Sequence, residues 1–170
     1  MEPHVLARDP GESVGLAAYP LARVDEFEIG RLWSSQFHQN EAALRFGYRN
    51  MDVNVTMWTL VEAKRLNAVV IVDEQFILHP KGRYTEKGLS PYRQNAMLVF
   101  ALAMKWFDMA VQFQTASLMK GTCTPARMKM WGLALPYKRR HEQDARGHLV
   151  EWIRRLKNGE VSLPDGTSRA

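Results

Sequence analysis

Two histidines in the C-terminal third of the chain, His141 and His148, have a spacing that first suggests chemistry. They lie seven positions apart, which on a helix is two turns and puts both side chains on one face. Metal-binding histidine pairs are usually about three to five residues apart and have a third ligand nearby. The spacing therefore does not favour a metal site, and we expect no bound metal.

Other signatures of catalysis are missing from the sequence. It has no Walker phosphate-binding loop, no G-x-S-x-G elbow and no G-x-G-x-x-G fingerprint. Cys123 has no base near it in sequence, and a lone cysteine is more often a buried small residue than a nucleophile. We therefore expect a protein that is not an enzyme and that needs no cofactor.

The positive charge of the chain is concentrated towards its C-terminus. The formal net charge is +5, and residues 121–170 hold ten basic residues against five acidic ones, whereas residues 1–40 hold three against six. A basic surface favours a polyanionic partner, and nucleic acid is the commonest one. Charge alone leaves open a protein whose basic residues are only solvated.

Length and composition predict one domain in a reducing compartment. The chain has 170 residues, of which 46% are hydrophobic, and this is enough for a single core. No uncharged run is longer than Gln94 to Met104, which is shorter than the about 18 residues that suggest a membrane span. With a single cysteine and no secretory signal pattern, we expect a soluble, cytoplasmic protein.

The elements of the N-terminal half were assigned from periodicity and caps. Residues 1–20 are rich in glycine and proline and are expected to be a flexible arm. Helices are predicted for residues 24–37, 40–46, where Gly47 ends the helix, and 53–66, with Asp52 as the cap. The β-branched runs "AVVIV" (68–72) and "QFIL" (75–78) predict two strands, joined by a tight turn at Asp73 and Glu74 or continuing to a turn at "HPKG".

The C-terminal half is predicted to be helical. Ser90 followed by Pro91 is typical of a helix start, and apolar residues then continue to Gly121, which predicts one long helix over residues 90–120. Shorter helices are predicted within residues 124–158, the last with one apolar stripe, followed by a flexible tail over residues 160–170. Residues 21–159 would thus form a single helical domain.

This order of elements resembles the winged helix-turn-helix regulators of the MarR and PadR type. The matching stretches are "AALRFGYRNMDVNVT" for the helix-turn-helix, "LVEAKRLNAVVIV" for the end of the recognition helix and the first wing strand, and "YTEKG" for the wing exit. The resemblance covers about residues 25–120. It implies a mainly α fold with one small β-hairpin, winged-helix-like over residues 24–88, and a dimer formed through the long helix.

If the resemblance holds, the contacts with duplex DNA can be assigned by position. Asn54 and Thr59, near the start of the second helix together with Val55 and Trp58, would reach the base edges, although Trp58 fits core packing better. Phosphate or wing contacts would come from Arg49, Asn50, Arg65, Lys81 and Arg83, and a second basic patch from Lys138, Arg139 and Arg140.

The sequence thus predicts a dimeric, DNA-binding transcriptional regulator or an accessory protein of a mobile genetic element. "LRFGYRNMDVNVTMW" followed by a long helix is also similar to uncharacterised small proteins encoded by integrating conjugative elements. Two alternatives stay open. One is a helical scaffold that docks a partner protein through its helix rich in Met, Trp and Phe, and the other is a single-stranded nucleic-acid-binding protein.

Overall fold

The structure is a computed structural model that describes residues 2–47, 50–76, 85, 87–105 and 108–165, apart from the side chains of Ala43 and Lys87. Within these residues the chain forms five strands and six α-helices. In chain order they are β1 His4–Asp9, β2 Ser13–Pro20, β3 Trp33–His38, α1 Gln39–Phe46, α2 Met51–Arg65, β4 Ala68–Glu74, α3 Ser90–Ala103, β5 Ala110–Gln114, α4 Ala116–Thr122, α5 Pro125–Met130 and α6 Arg140–Lys157.

The five strands form one mixed sheet in the order β3-β2-β1-β4-β5. The first three strands form an antiparallel meander, whereas β4 pairs parallel with β1 on one side and with β5 on the other. Two parallel strands need a crossover connection, and here helices α1 and α2 lie between β3 and β4, and α3 between β4 and β5.

Helices cover both faces of this sheet. One face packs against α6 through the alternate strand residues Val5, Ala7, Val70 and Val72, and Trp152 fills the centre of that contact. The opposite face packs against α2 and α3 through Leu6, Leu16, Ile71, Leu60 and Leu98. Because both faces of the central strands are buried, their sequences are nearly continuous apolar runs rather than alternating ones.

The fold class predicted from the sequence is wrong, because the protein is an α/β protein rather than a mainly α winged-helix protein. The run 68–72 lies in β4, which has a parallel neighbour on each side and is therefore central in the sheet; a wing strand pairs antiparallel with its hairpin partner. The predicted tip of the wing falls largely in residues 77–84, which lie outside the described residues.

Three predicted elements differ from the structure. Residues 4–20, expected to belong to a flexible arm, are the buried strands β1 and β2. Residues 24–37, expected to be an amphipathic helix, contain short 3-10 turns and then most of β3. The long helix expected over residues 90–120 ends at Ala103, and β5 and α4 follow it. In the last two cases the apolar residues predicted a helix, but many of them belong to strands β3 and β5.

Several local predictions are confirmed. Helix α1 ends before Gly47, whose φ of 70° is the left-handed conformation that favours glycine. Helix α2 lies where it was expected, although its cap is Asn50, whose side chain accepts from the backbone N–H groups of Asp52 and Val53. Helix α3 begins at Ser90 with proline in its first turn, and the C-terminal helix is α6.

A buried ion pair ties β1 to β4 near their carboxyl ends. Arg8 Nε donates to Asp73 Oδ1 over 2.7 Å and Arg8 Nη2 to Asp73 Oδ2 over 2.9 Å, and both side chains are fully buried. Asn95 of α3 donates to the same carboxylate over 2.6 Å, so the pair is also joined to the helix layer. A buried charge needs such partners because its desolvation is costly.

Helix α6 touches the sheet most closely at Gly15 of β2. A Cβ atom built on Gly15 would lie 1.8 Å from the backbone oxygen of His141 and 2.6 Å from the backbone nitrogen of Glu142. Only a residue without a side chain leaves room for the first turn of the helix at this distance.

Substituting Gly15 with alanine is expected to push the start of α6 away from the sheet. Overpacking of this kind typically costs about 1–3 kcal/mol of unfolding free energy, and backbone atoms that cannot move aside place this site at the upper end. Urea unfolding measures the loss. Gly121→Ala is the matched control, because a Cβ atom there would meet nothing within 4 Å; equal stability of the two variants would contradict the prediction.

Within the described residues, every helix is too short or too polar to cross a membrane.

Candidate active site

Two acidic residues stand at the carboxyl ends of the parallel strands β1 and β4. Arg8 pairs with Asp73 in the register of the two strands, so the following residues, Asp9 and Glu74, are neighbours as well. Since side chains alternate along a strand, Arg8 and Asp73 face α2 and α3, whereas Asp9 and Glu74 face α6. In open α/β sheets, ligands bind outside the carboxyl ends of the parallel strands.

Helix α6 adds three more polar side chains to this edge. His141, Asp144 and His148 recur at intervals of three and four residues, so they share the face of the helix that is turned towards Asp9 and Glu74. His141 Nδ1 lies 2.6 Å from Asp9 Oδ2, and His148 Nε2 lies 2.9 Å from Glu74 Oε2. The two histidines share one face of a helix, as their spacing predicted.

Asp9 is the carboxyl group whose ionisation the site changes most visibly. The pKa of Asp9 is raised to about 6, chiefly by burial; the hydrogen bond with His141 opposes the rise, and the negative charges of Glu74 and Asp144 add to it. The side chain is 9% exposed. A carboxyl group held in this way is a mark of functional sites, although buried structural networks also produce it.

The pKa values of the other two acids, Glu74 and Asp144, are shifted in opposite directions. Burial works to raise the pKa of Glu74, but hydrogen bonds with His148 and Asp9 outweigh it, and the pKa lies below its ordinary value. Burial raises the pKa of Asp144, and the charge of Glu74 adds to the rise, while the exposed Lys120 of α4 opposes it. Asp9, Glu74 and Asp144 therefore interact electrostatically as one cluster.

The cluster has the donor atoms that a hard divalent cation prefers. Mg²⁺ takes carboxylate oxygens, and the three acids bring up to six of them to one edge from β1, β4 and α6. A cation would also offset the mutual repulsion that raises the pKa of Asp9. Among the residues that the structure describes, no three such side chains already lie as a group of metal ligands, and Asp9 and Glu74 are each bonded to a histidine. The fit to a hard divalent cation therefore rests on the chemistry of the donor set, three carboxyl groups brought to one edge.

The DNA contacts predicted on the second helix are not assembled into a surface. Asn54 and Thr59 are fully buried, and the hydroxyl group of Thr59 donates to the backbone oxygen of Val55. Asn50 caps α2, and Arg65 is bonded to Glu62 and lies over the ring of Trp33. Arg49, Lys81 and Arg83 lie outside the described residues.

The second basic patch, by contrast, borders the candidate site. Lys138 and Arg140 are exposed at the start of α6, directly before His141, and Arg140 Nε lies 3.4 Å from His141 Nε2. Arg139 donates to both carboxylate oxygens of the buried Glu142, from Nε to Oε2 over 2.7 Å and from Nη2 to Oε1 over 2.5 Å. It therefore anchors the start of the helix. Lys138 and Arg140 are thus the exposed members of the patch, although Arg140 also contacts the hydroxyl group and the ring of Tyr137, while Arg139 is structural.

Two further expectations about single residues are confirmed. Trp58 packs inside the protein, with its ring stacked on that of Phe37 at a centroid distance of 4.2 Å. Cys123 is buried, and its burial raises the pKa of the thiol to about 11, which excludes an activated nucleophile at neutral pH.

Sequence reasoning missed all three carboxylates of the site. The sequence predicted Asp9 in a flexible arm and Glu74 in a turn, and it gave Asp144, near the basic patch, no role. The available signal was an acidic residue directly after a buried apolar run, which occurs twice, in "HVLARD" and in "AVVIVDE". An acid at the carboxyl end of a buried strand predicts a ligand site only when the strands are known to be parallel.

Comparisons with known proteins identify the fold. No protein-family model and no curated protein matches the chain. Among solved structures, the chain is similar to Thermus thermophilus RuvC in complex with a Holliday junction substrate, with a TM-score of 0.61, 13% identity and coverage of 92% of this chain and 96% of that one. A second structure of Thermus thermophilus RuvC gives a TM-score of 0.57 at 15% identity, with the same coverage.

A third similar structure is the complex of PCNA with RNase HII from Archaeoglobus fulgidus. It has a TM-score of 0.36 and 9% identity over 99% of this chain and 84% of that one, which is too low to carry an argument.

The likeness to RuvC places the chain in the RNase H-like α/β fold. The expectation of a winged-helix regulator of the MarR or PadR type is therefore wrong, and so are the transcriptional role and the scaffold alternative. Binding to single-stranded nucleic acid is not tested and stays a prediction. The expectation that the protein is not an enzyme conflicts with this likeness, because one of the similar structures was solved with a Holliday junction substrate.

Proposed function

We propose that this chain is a divalent-metal-dependent nuclease that cleaves branched DNA. The observation that carries the proposal is the convergence of Asp9, Glu74 and Asp144, from three separate elements, at the carboxyl edge of β1 and β4. The RuvC-like fold supports it, since the most similar structures reported above include one with a Holliday junction substrate.

Asp9, Glu74 and Asp144 would hold the metal in this proposal, with His141 beside them. A bound divalent cation supplies charge stabilisation for a phosphoryl group and a more acidic water molecule. The three carboxylates come from strands of the sheet and from α6, and sites built on such elements are held more precisely than sites on loops.

His141 has two roles in the proposed reaction. Its Nδ1 bond to Asp9 holds that carboxylate in place, and its side chain is 24% exposed, so the rest of the ring can reach a substrate. An imidazole at this position can accept or donate a proton at a reacting oxygen. Arg140, at 3.4 Å from the other ring nitrogen, adds positive charge where phosphate would lie.

The basic residues around the site fit a DNA backbone. Lys120 on α4 and Lys138 and Arg140 at the start of α6 are exposed and lie on the elements that carry or adjoin the carboxylates. Contacts of this kind position a nucleic acid without reading its sequence, and their number sets the salt dependence of binding. Branched DNA is favoured over plain duplex only by the likeness to RuvC.

Removing single carboxylates tests the proposal. Asp9→Asn, Glu74→Gln and Asp144→Asn are each expected to lower the cleavage rate of a four-way DNA junction at least about a hundredfold with Mg²⁺ or Mn²⁺ present, because each removes a charged oxygen ligand. The measurement is single-turnover cleavage of a labelled junction, followed on denaturing gels.

The matched control is Asp165→Asn, because Asp165 is an exposed acid outside every helix and strand. It should cleave like the wild type, and all variants should bind the junction at similar affinity. Duplex and single-stranded oligonucleotides of the same sequence measure the preference for branches. A wild-type protein that cleaves none of these with either metal would exclude the nuclease.

The raised pKa of Asp9 gives a prediction of its own. The folded state holds this proton more tightly than the unfolded chain, whose value is 3.8, so the contribution to stability is present below pH 3.8 and is lost as the pH rises through about 6. Without divalent cations, Asp9→Asn should therefore be more stable than the wild type at about pH 8, by on the order of 2 kcal/mol, and the difference should shrink towards about pH 4.

Urea unfolding of both proteins across this pH range is the measurement. A stability difference that stays constant with pH would show that the proton on Asp9 is not the cause.

The proposal also includes a homodimer formed through α3. Val99, Phe100 and Met104 are 40%, 58% and 54% exposed along the end of this helix, which is an unusual amount of apolar surface for one turn. Phe100→Glu is expected to convert the dimer to a monomer, measured by size-exclusion chromatography with light scattering, whereas Leu44→Glu, at an exposed leucine on α1, should leave it dimeric. A monomeric wild type would contradict this part.

A further inference from the structure

His148 contacts the candidate site from the interior of the protein, and the nuclease proposal gives it no role. It is fully buried on α6, and its Nε2 atom lies 2.9 Å from Glu74 Oε2, whose side chain is 21% exposed. Glu74 therefore has one oxygen held by the interior of the protein. Whether His148 donates to Glu74 depends on which ring nitrogen carries the proton.

Gln114, the last residue of β5, determines which nitrogen carries the proton. Its side-chain nitrogen, Nε2, donates to the backbone oxygen of His148 over 3.2 Å and lies 3.1 Å from His148 Nδ1. A backbone oxygen can only accept, so the amide must present its NH₂ group here. His148 Nδ1 then has to be the acceptor, which places the ring proton on Nε2, facing Glu74.

The other end of Gln114 supports this reading. Its side-chain oxygen is buried and has no hydrogen-bond partner among the described residues. If the Gln114 amide were turned round, its oxygen would lie next to His148 Nδ1, but the hydrogen bond to the backbone oxygen of His148 would be lost. The Gln114 side chain is therefore oriented by hydrogen bonds from its N–H groups, although its oxygen has no partner among the described residues.

We infer that His148 and Gln114 are positioning residues that aim Glu74 at the metal. This inference rests on the nuclease function proposed above. The chain runs from the Gln114 amide to His148 Nδ1, and from His148 Nε2–H to Glu74 Oε2. It holds one oxygen of Glu74 inside and leaves the other to turn towards Asp9 and a cation. Partners of this kind orient ligands and raise metal affinity.

Two substitutions of His148 separate positioning from mere packing. His148→Leu keeps an apolar side chain of similar bulk but has no donor, whereas His148→Gln can place an N–H group where Nε2 lies. His148→Leu should weaken Mn²⁺ binding about tenfold or more, and His148→Gln should stay within about threefold of the wild type. Mn²⁺ binding to the purified protein is measured by electron paramagnetic resonance of the free ion.

A matched pair on β5 provides the control. Gln112 and Gln114 lie on the same face of one strand, and Gln112 accepts from Trp152 Nε1 over 2.7 Å, one turn further along α6. Gln114→Leu and Gln112→Leu each remove a bond between β5 and α6, but only Gln114→Leu should weaken Mn²⁺ binding. It should also raise the Mg²⁺ concentration needed for half-maximal junction cleavage, with unchanged affinity for the DNA.

The outcomes distinguish the two proposals. A wild type that binds Mn²⁺ and cleaves junctions, together with His148→Leu that binds Mn²⁺ equally well, overturns the positioning role alone. Equal losses in Gln114→Leu and Gln112→Leu also overturn it, since that is what loosened packing produces. If His148→Leu does not fold, the Gln114 and Gln112 pair decides. A wild type that neither binds Mn²⁺ nor cleaves removes both proposals.

Discussion

The buried ion pair between Arg8 and Asp73 is the interaction on which the site depends. Two charges that are fully removed from water tolerate only a geometry in which they meet, here at 2.7 Å, and a slip of β1 along β4 would leave both unpaired. The pair therefore fixes the parallel register one residue before each strand ends. Because side chains alternate, Asp9 and Glu74 then have to lie together on the other face.

Helix α6 completes the site because the sheet lets it come close. Gly15 leaves no side chain under the first turn of the helix, so the backbone of His141 can approach β2 and its ring can reach Asp9. Two turns later His148 reaches Glu74 in the same way. Each strand acid thus has one partner on the helix, and the two bonds fix how the helix is placed along the strands.

Gathering three acids at one edge costs stability, which is typical of functional sites. Burial and the charges of Glu74 and Asp144 raise the pKa of Asp9, and the hydrogen bond with His141 and its charge only partly offset this rise. The neighbouring carboxyl group of Asp73 is bonded to Arg8 and Asn95, and burial raises its pKa as well. The two clusters therefore differ in position rather than in ionisation: Asp73 is fully buried, whereas Glu74 is partly exposed at the edge of the sheet.

Local signals in the sequence were sufficient for the helices and insufficient for the sheet and the site. Gly47, the Ser90 and Pro91 start and the apolar stripe of α6 were interpreted correctly, because caps, turns and stripes are made by residues within about four positions of one another. The shared face of His141 and His148 was also determined in this way. The strand pairing was not, because β1 has partners on either side that are far apart in sequence.

The sequence alone predicts that His141 and His148 share one face of a helix. Folding brings these histidines to acids 132 and 74 positions away, and brings the two acids together. The physical reason is that a carboxylate at the end of a strand has no local partner that reveals its role. Its neighbours are chosen by strand order and register, which depend on burying both faces of the whole sheet.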